Sequence, residues 1–502
     1  MKKLTSLLAF VLVFAMLLST AAFADGKSND RAFVLGMETE PVTLNCHGNS
    51  SNYVLQMGHL YDGFLTSLNE ENGGPVQPAI AESWEYLSNT ELKLNLRHDV
   101  FWHNGDLLTA DDVVFTIDWT INPDNASVRR SNIAPYIESA EKVDDFTVIL
   151  HLITPYPALL EVLSYLPLVS EKTVATLDTA PIGCGPYKFV SWEKGVQVNF
   201  EPFDKYYGWD YDSLQYNALE VRTFQDYNAL MTAFFADEID VLLFLATADI
   251  ATVEARGYET QSIPDTGNYM AVNTSLEKFQ NPKVREAIKY AIDKQELIDL
   301  LQNGIGEPTS QMYAPSNPYY DPSLDWEHDL ERAKQALIDA GYPEGLDIKI
   351  LTPNSAVRTA MATVLQQQLE KAGFKVTLDI MESATMLTTW TEGGADIGIG
   401  GFGFYADPCF RTTFIDSEKN TTWTRYGYDN AEYNELYQKS IETDDFDTRY
   451  ECYQKMAAKA IDEAGFFMLY CQTSNCAMKD DVNGVIYRGS GNSDFTKVTF
   501  ED

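Results

Sequence analysis

The sequence predicts an α/β fold in which a wound parallel sheet stands beside a smaller α+β region. Between residues 347 and 400, three short apolar runs alternate with two helical segments, which is typical of parallel strands joined by crossover helices. Between residues 65 and 183, strands of alternating polarity surround one amphipathic helix. A chain of 502 residues is long enough for about three such units.

The region 65–183 is predicted as a small α+β domain. Leucines alternate with polar residues over 91–97, which indicates a half-buried strand, and a second alternating strand is predicted over 146–152. Thr109 is followed three residues later by Asp112, and this capping box predicts that a helix begins there.

The wound segment predicts a strand over 347–351, a helix over 356–372 and a strand over 374–380. Gly373 is placed to end the helix in a left-handed conformation. The predicted buried stripe of this helix contains Val357, Met361, Val364, Leu365 and Leu369.

Two further helices are each predicted to lead into a strand. A helix over 383–390 precedes a strand over 396–400. Upstream, a helix over 226–236 precedes an apolar strand over 241–245. The strands after residue 346 are therefore expected to form a parallel sheet of at least three strands with right-handed crossovers.

Ligands of open α/β sheets bind outside the carboxyl ends of the strands, so the loops 352–354, 381–382 and 400–408 are candidate sites. Glycines there let the backbone approach a ligand, and aromatic rings offer faces for stacking. The alternative is that the rings are local core and the glycines only form a turn. The candidate binding residues are Asn354, Glu382, Gly401, Phe402, Phe404 and Tyr405.

The first 24 residues have the pattern of a secretory signal peptide. Lys2 and Lys3 precede an apolar run over 7–18, and residues 22–24 read Ala-Phe-Ala. We therefore expect a soluble mature chain outside the cytoplasm, in the periplasm or at the extracellular face. The formal net charge of -38 repels phosphate backbones, which excludes nucleic acid as an expected partner.

The sequence lacks a recognisable catalytic or metal-binding constellation. No GxSxG, Walker or HExxH motif occurs. Paired acids such as Asp111–Asp112 could serve a glycosidase, but acids in a first helical turn are explained by the helix dipole. The six cysteines allow 15 full disulfide connectivities or none. We therefore expect no enzyme, metal or cofactor.

Several blocks carry a family resemblance. The stretch PAIAESWEYLSNTELKLNLRHDVFWHNGDLLTADDVVFTIDW, residues 78–119, resembles the signature of the family 5 extracellular solute-binding proteins, which bind oligopeptides, dipeptides or nickel for ABC importers. IGCGPYKFVSWEKG at 182–195, ADEIDVL at 236–242 and ADPCF at 406–410 follow in the order and approximate spacing of the family.

The resemblance implies a periplasmic-binding-protein-like fold of the class II, cluster C type, with two lobes, a two-strand hinge and an extra small α+β domain. Projected onto this chain, lobe I is 29–64, 184–268 and 484–502, the extra domain is 65–183, and lobe II is 269–483. Hinge strands are expected near 269–273 and 476–479. Closure of the lobes around a ligand then signals a loaded protein to the membrane permease.

The resemblance also bears on the ligand. Relatives that bind peptides commonly carry an aspartate three residues before an acidic-Pro dipeptide, where it pairs with the α-ammonium group. Here that dipeptide is Asp407-Pro408 and the position three residues back is Phe404. Because a buried ammonium group needs a charge partner, Asp407, Glu382 or another acid would have to substitute.

A loop of the first lobe, following residues 40–44, resembles the family segment that lines the cleft. It adds His47, Asn49 and Tyr53 as candidates, with an ordinary surface loop as the alternative. The expected function is the capture of a peptide or peptide-like solute by a monomer that delivers it to ABC permease subunits. A saccharide, metal chelate or other amphipathic solute is the alternative cargo. Two further alternatives are a secreted carboxylate-dependent hydrolase and a sensor subunit.

Overall fold

The computed structural model describes residues 31–68, 76–416, 428–489 and 491–501. The predicted signal peptide lies outside the described residues. In chain order, the strands are β1 (Ala32–Met37), β2 (Thr66–Ser67), β3 (Gln77–Pro78), β4 (Ala81–Ser88), β5 (Glu91–Leu96), β6 (Ile137–Asp144), β7 (Thr147–Leu152), β8 (Tyr187–Glu193), β9 (Gln197–Pro202), β10 (Ala218–Thr223), β11 (Val241–Leu242), β12 (Glu259–Val272), β13 (Glu307–Pro308), β14 (Leu346–Pro353), β15 (Phe374–Met381), β16 (Ile397–Gly403), β17 (Phe466–Met478), β18 (Val482–Asn483) and β19 (Thr499–Phe500).

Helices connect these strands and cover the sheets. The α-helices are α1 (Asn52–Tyr61), α2 (Ala110–Ile121), α3 (Arg130–Ile133), α4 (Leu159–Leu163), α5 (Tyr227–Phe235), α6 (Ile250–Glu254), α7 (Glu277–Gln280), α8 (Pro282–Ala291), α9 (Lys294–Leu301), α10 (Leu330–Asp339), α11 (Ala356–Lys371), α12 (Ser383–Thr391), α13 (Cys409–Thr412), α14 (Ala431–Ile441) and α15 (Phe446–Asp462). Short 3₁₀ helices occur at Pro123–Asn125, Val174–Thr176, Tyr211–Ser213, Thr247–Asp249 and Pro322–Leu324.

The large sheet contains two groups of parallel strands. Its order is β15-β14-β16-β12-β17-β11-β1-β10-β9-β8, and β13 pairs with β17. In the N-terminal strand group, β1 runs parallel to β10 and β11. In the C-terminal strand group, β14 runs parallel to β15 and β16, as the wound segment predicts. The long antiparallel pair β12 and β17 separates the two groups.

The chain passes between the N-terminal and the C-terminal strand group along β12 and β17, and we call this stretch the crossing. Pairing of β12 with β16 begins at Thr266, and pairing of β17 with β11 begins at Ala477. Between these points the register shifts from Pro264 to Thr266, so that Asp265 forms a bulge. The crossing therefore lies within 260–266 of β12 and 472–477 of β17. The expected hinge segments at 269–273 and 476–479 are close to it and remain a prediction.

The strands β4 to β7 form a separate antiparallel sheet, which we call the inserted sheet, in the order β4-β5-β7-β6. The predicted strands at 91–97 and 146–152 are β5 and β7. The capping box is confirmed, since the backbone N–H of Thr109 donates to the Asp112 carboxylate at 2.9 Å and α2 begins at Ala110.

One apolar cluster joins the inserted sheet to the C-terminal strand group. It contains Leu94 and Val148 of the inserted sheet together with Cys409 and Tyr437. The N-terminal strand group has its own core, built around Phe33, Leu35 and Val221 among others. Packing therefore brings the region 65–183, which we call the inserted region or inserted domain, against residues more than two hundred positions later in the chain.

Three sequence predictions need correction. The strand predicted over 241–245 ends at Leu242, because Phe244 adopts a positive φ of 60° that an extended strand does not allow. The strand predicted over 396–400 continues to Gly403, because residues 400–403 pair with β12. Val357 is 57% exposed, since it lies in the first turn of α11, whereas the other predicted residues of that stripe are buried.

Candidate functional site

The candidate site lies where β14 and β16 end. These strands are parallel, so their carboxyl ends, Pro353 and Gly403, lie at the same edge of the sheet. Helix α11 begins at this edge, and the Ser355 hydroxyl caps it by accepting the backbone N–H of Arg358 at 3.3 Å. The edge is the position at which open α/β sheets bind ligands.

Arg358 places a guanidinium group over this edge. Its Nη1 donates to Asn268 Oδ1 at 2.6 Å and to the Gly400 carbonyl at 3.2 Å. A Cβ at Gly401 would collide with Nη2, so the glycine makes room for the arginine. Burial lowers the pKa of Arg358, and no carboxylate among the described residues pairs with it. The guanidinium therefore retains donors for an anionic group.

Asp265 contributes a carboxylate beside the same loop. Its carbonyl accepts the backbone N–H of Phe404 at 3.0 Å, so the bulge of β12 lies next to the loop after β16. The carboxylate accepts the Thr266 hydroxyl at 2.9 Å. Burial raises the pKa of Asp265, and within the described ranges no lysine, arginine or histidine forms an ion pair with it.

The aromatic residues of the loop have different surroundings. Phe402 is only 7% exposed and packs against Tyr269 at 5.4 Å between ring centroids, so it belongs to the core and does not offer a face to a ligand. Phe404 is half-buried above Gly267. Tyr405 is half-buried too and packs on Phe410 at 4.0 Å. The core interpretation therefore holds for Phe402.

The carboxylate of Asp407 is already hydrogen-bonded by other side chains of the protein. Its carboxylate oxygens accept hydrogen bonds from Nη2 of Arg449 at 2.7 and 2.8 Å and from the Tyr453 hydroxyl at 3.2 Å. Glu382 and Asn354, in contrast, are exposed at the ends of β15 and β14. The backbone N–H of Asn354 donates to the Met381 carbonyl at 2.7 Å, which fixes the two loops side by side.

His47 is buried, at 1% exposure, between the N-terminal strand group and the inserted region. Its Nδ1 lies 3.0 Å from the Ser127 hydroxyl and its Nε2 lies 3.0 Å from the Pro167 carbonyl. Burial lowers the pKa of His47 to about 4. Both ring nitrogens are engaged within the protein, so the site that we propose does not include His47.

Asn49 and Tyr53 lie at the start of α1. The Asn49 side chain accepts the backbone N–H of Ser51 at 2.8 Å. Tyr53 packs edge-on against Phe244 at 4.9 Å, where the strained backbone of Phe244 ends β11. This pair therefore lies at the carboxyl edge of the N-terminal strand group.

Gly489 links the start of α1 to the C-terminal strand group. The Asn52 amide donates to the Gly489 carbonyl at 3.1 Å. A Cβ at Gly489 would lie 3.0 Å from Cγ of Asp265. The start of α1 therefore lies near Asp265 through Gly489, and the loop after β16 is hydrogen-bonded to the Asp265 backbone.

Sequence reasoning missed Arg358 and Asp265. Arg358 lies four residues beyond a loop that the strand-end rule selects, but its position in a helical pattern indicates a solvated face. Asp265 has no sequence signal, because the bulge that positions it results from pairing with a strand about two hundred residues later. The strand-end rule could have included the first turn of the following helix.

A cavity of about 360 Å³ lies apart from this edge, between the N-terminal strand group and the inserted region. His59, Asp62, Ser164 and Arg488 are among its lining residues, and none of the ten sequence-predicted candidates is. Within the described residues, no group of three or more His, Cys, Asp or Glu side chains could hold a metal ion. No helix in the same ranges is long and apolar enough to span a membrane.

Comparison with known proteins identifies the family. The model of bacterial extracellular solute-binding proteins, family 5 Middle, matches residues 75–423. The chain belongs to family 5 of the bacterial extracellular solute-binding proteins, because that match covers more than half of it. The predicted family is thereby confirmed.

The similarity to individual relatives extends over most of the chain. The chain is 26% identical over 497 residues to the oligopeptide-binding protein AppA of Bacillus subtilis, covering 90% of this chain and 88% of the relative. It is 25% identical over 467 residues to a dipeptide-binding protein of Escherichia coli, covering 85% and 86%. The structure of HbpA2 from Haemophilus parasuis superimposes with a TM-score of 0.84 at 23% identity, covering 94% of this chain and 100% of that one. The predicted fold class is confirmed as well.

Proposed function

We propose that this chain captures a peptide or peptide-like solute between two lobes and delivers it to the permease of an ABC importer. Lobe I would comprise 29–64, 184–268 and 484–502, lobe II 269–483, and the extra domain 65–183. The observation that carries the proposal is the pair of uncompensated charges at the edge of the C-terminal strand group, the Arg358 guanidinium and the Asp265 carboxylate.

These two charges suit a zwitterion. Asn268, which holds Arg358, follows Asp265 by three residues, about 10 Å along an extended strand. A short peptide carries an ammonium and a carboxylate group separated by one or a few residues. Asp265 therefore supplies the acid that Phe404 cannot, and the Arg358 guanidinium donates hydrogen bonds to the peptide carboxylate.

The loop between these charges supports the same function. Phe404 and Tyr405 flank the position where peptide side chains would lie, and rings of this kind pack against apolar or aromatic groups. Exposed Glu382, Asn354 and Gly401 lie on the same wall. Asn49 and Tyr53 would contribute the lobe I side of the same site.

Calorimetry with defined peptides tests this proposal. The purified chain is titrated with equimolar mixtures of dipeptides, tripeptides and tetrapeptides, then with N-acetylated and C-amidated forms of whichever mixture binds. We expect free peptides to bind and both blocked forms to bind at least tenfold more weakly. No binding of any peptide, with tight binding of a saccharide, a metal chelate or haem, would reject the peptide proposal and favour the alternative cargo.

Two variants test which residue binds which end of the peptide. Arg358→Gln is expected to remove the preference for a free carboxylate and Asp265→Asn the preference for a free ammonium group. Arg256→Gln and Asp339→Asn are the matched controls, since both residues are exposed. If the blocked peptides lose affinity to the same extent in the variants as in the native chain, the two charges do not contact the ligand.

The remaining parts of the proposal concern the chain in the cell. We propose that residues 1–24 direct export and that the mature chain is a monomer that releases its solute unchanged, with neither catalysis nor nucleic-acid binding. Chromatography of the peptide mixture after incubation tests the absence of turnover. Light scattering tests the monomer.

A further inference from the structure

A carboxylate of the inserted region reaches the loop after β16. Glu161 lies on α4 and is 3% exposed. Its Oε1 accepts the backbone N–H of Ala406 at 2.7 Å, and its Oε2 accepts the backbone N–H of Asp407 at 2.8 Å. The two carboxyl oxygens of one side chain thus hold two consecutive peptide N–H groups. One side chain therefore joins parts of the molecule 245 residues apart.

We infer that Glu161 is a positioning residue that fixes the ligand loop 404–407 when the inserted domain meets lobe II. This inference rests on the proposed function only in treating that loop as part of the binding wall. Glu161 does not touch the solute in this account. It sets the path of the backbone that does.

The loop has its other attachments within the C-terminal strand group. Asp407 is held by Arg449, and the Arg411 guanidinium donates through Nε to the Gly403 carbonyl at 2.8 Å. These bonds do not depend on the inserted region. Glu161 accordingly links the backbone of residues 406 and 407 to the inserted region through hydrogen bonds.

Electrostatics support a specific role for this carboxylate. The charged groups that face it are Asp407 and Arg411. Burial raises the pKa of Glu161 to about 7, while the N–H groups of Ala406 and Asp407 and the charge of Arg411 act against that rise. No cation among the described residues forms an ion pair with Glu161. The two backbone donors are therefore its direct hydrogen-bond partners and the main compensation for its removal from water.

Aromatic and apolar contacts around Glu161 also join the inserted region to residues 405–409. Tyr165, two residues beyond α4, lies 5.9 Å from the Tyr405 ring, and Cys409 belongs to the same apolar cluster as Leu159. These contacts hold the surfaces together but do not fix the peptide planes at 406 and 407. Hydrogen bonds do that: the Ala406 and Asp407 N–H groups donate to Glu161, and the Ala406 carbonyl accepts Asn317 Nδ2 at 2.8 Å.

Hydrogen–deuterium exchange of the ligand-free chain tests the inference. In Glu161→Ala, amide exchange in the fragment spanning residues 403–410 is expected to accelerate at least tenfold relative to the native chain. Glu161→Asp keeps the charge but is one methylene shorter, so it is expected to accelerate exchange as well. Exposed Glu138→Gln on β6 is the matched control and is expected to leave the fragment unchanged.

The measurement distinguishes positioning from general stability. Unchanged exchange at 403–410 in both Glu161 variants would overturn the inference. So would an acceleration of equal size in the fragments of β5 and β7, because Glu161 would then merely stabilise the inserted domain. Since no solute is present, failure of every peptide to bind would reject the proposed function and leave the outcome of this experiment decisive for Glu161.

Discussion

The guanidinium of Arg449 binds the carboxylate of Asp407 through Nη2 at 2.7 and 2.8 Å, across 42 positions of the chain. Both side chains are largely shielded, with 7% and 14% exposure. The acid of the Asp-Pro dipeptide is therefore committed to holding helix α15 against the loop after β16, and it is not the substitute for the missing ammonium anchor.

Removal of Arg449 should destabilise the chain strongly, because it leaves the Asp407 carboxylate buried without a cationic partner. Arg449→Met is expected to lower the free energy of unfolding by about 3 kcal/mol or more. Urea denaturation measures this change. Arg332→Met, which breaks the half-exposed pair with Glu286, is the control and is expected to cost about 1 kcal/mol or less. Equal costs for the two variants would contradict the assignment.

Gly401 and Gly403 offer a matched pair of substitutions on one strand. A Cβ at Gly401 collides with the Arg358 guanidinium, whereas the nearest atom to a Cβ at Gly403 is 3.9 Å away. Gly401→Ala is therefore expected to weaken peptide binding about tenfold by displacing Arg358, and Gly403→Ala to leave it unchanged. Calorimetry compares the two. Equal affinities would show that Arg358 tolerates the displacement or does not contact the peptide.

An aspartate at position 404 should partly replace the aspartate at position 265 as the partner of the peptide ammonium group. Asp265→Asn is expected to weaken binding of a peptide with a free N-terminus by at least tenfold. The double variant with Phe404→Asp is expected to restore part of that loss, because the two residues are adjacent across the β12 bulge. N-acetylated peptide is the control, since it has no ammonium group to lose. A double variant no better than Asp265→Asn would contradict the shared role.

Acid should destabilise the chain through its buried histidines. Burial lowers the pKa of His47 to about 4, that of His103 to about 4 and that of His59 to about 3. The unfolded chain takes up protons near pH 6.5 and the folded chain does not, so stability falls as the pH drops from about 6.5 towards 4. Each histidine contributes a slope of up to about 1.4 kcal/mol per pH unit.

His47→Gln is expected to make the loss of stability between pH 6.5 and 5 shallower, and urea denaturation at several pH values measures that slope. The same variant should be less stable than the native chain at pH 8, since the histidine bonds to Ser127 and Pro167 are altered. An unaltered slope in His47→Gln would contradict the prediction.

Local patterns predicted the elements well, because they follow from neighbouring residues. The capping box at Thr109, the left-handed Gly373 with φ of 104° and the parallel strands around α11 all match. Errors arose where distant pairing decides the outcome. β16 extends to Gly403 because β12 lies beside it, and β11 stops early because the backbone turns at Phe244.

The site was harder to predict than the fold. The strand-end rule selected the correct edge and loop, yet sequence could not show that Phe402 points into the core or that Arg449 occupies Asp407. Arg358 and Asp265 become candidate binding residues only once the structure shows that neither forms an ion pair with another described residue. That property depends on every neighbour in space, and a single sequence does not reveal it.

The six cysteines have a consequence for a chain that we propose is exported. All six are unpaired and buried, and burial raises the pKa of each thiol above its ordinary value. At neutral pH almost no thiolate forms, so oxidants and disulfide-exchange enzymes find no nucleophile on the folded surface. The native state should thus persist unchanged under oxidising or reducing conditions, and only an unfolded molecule would become cross-linked.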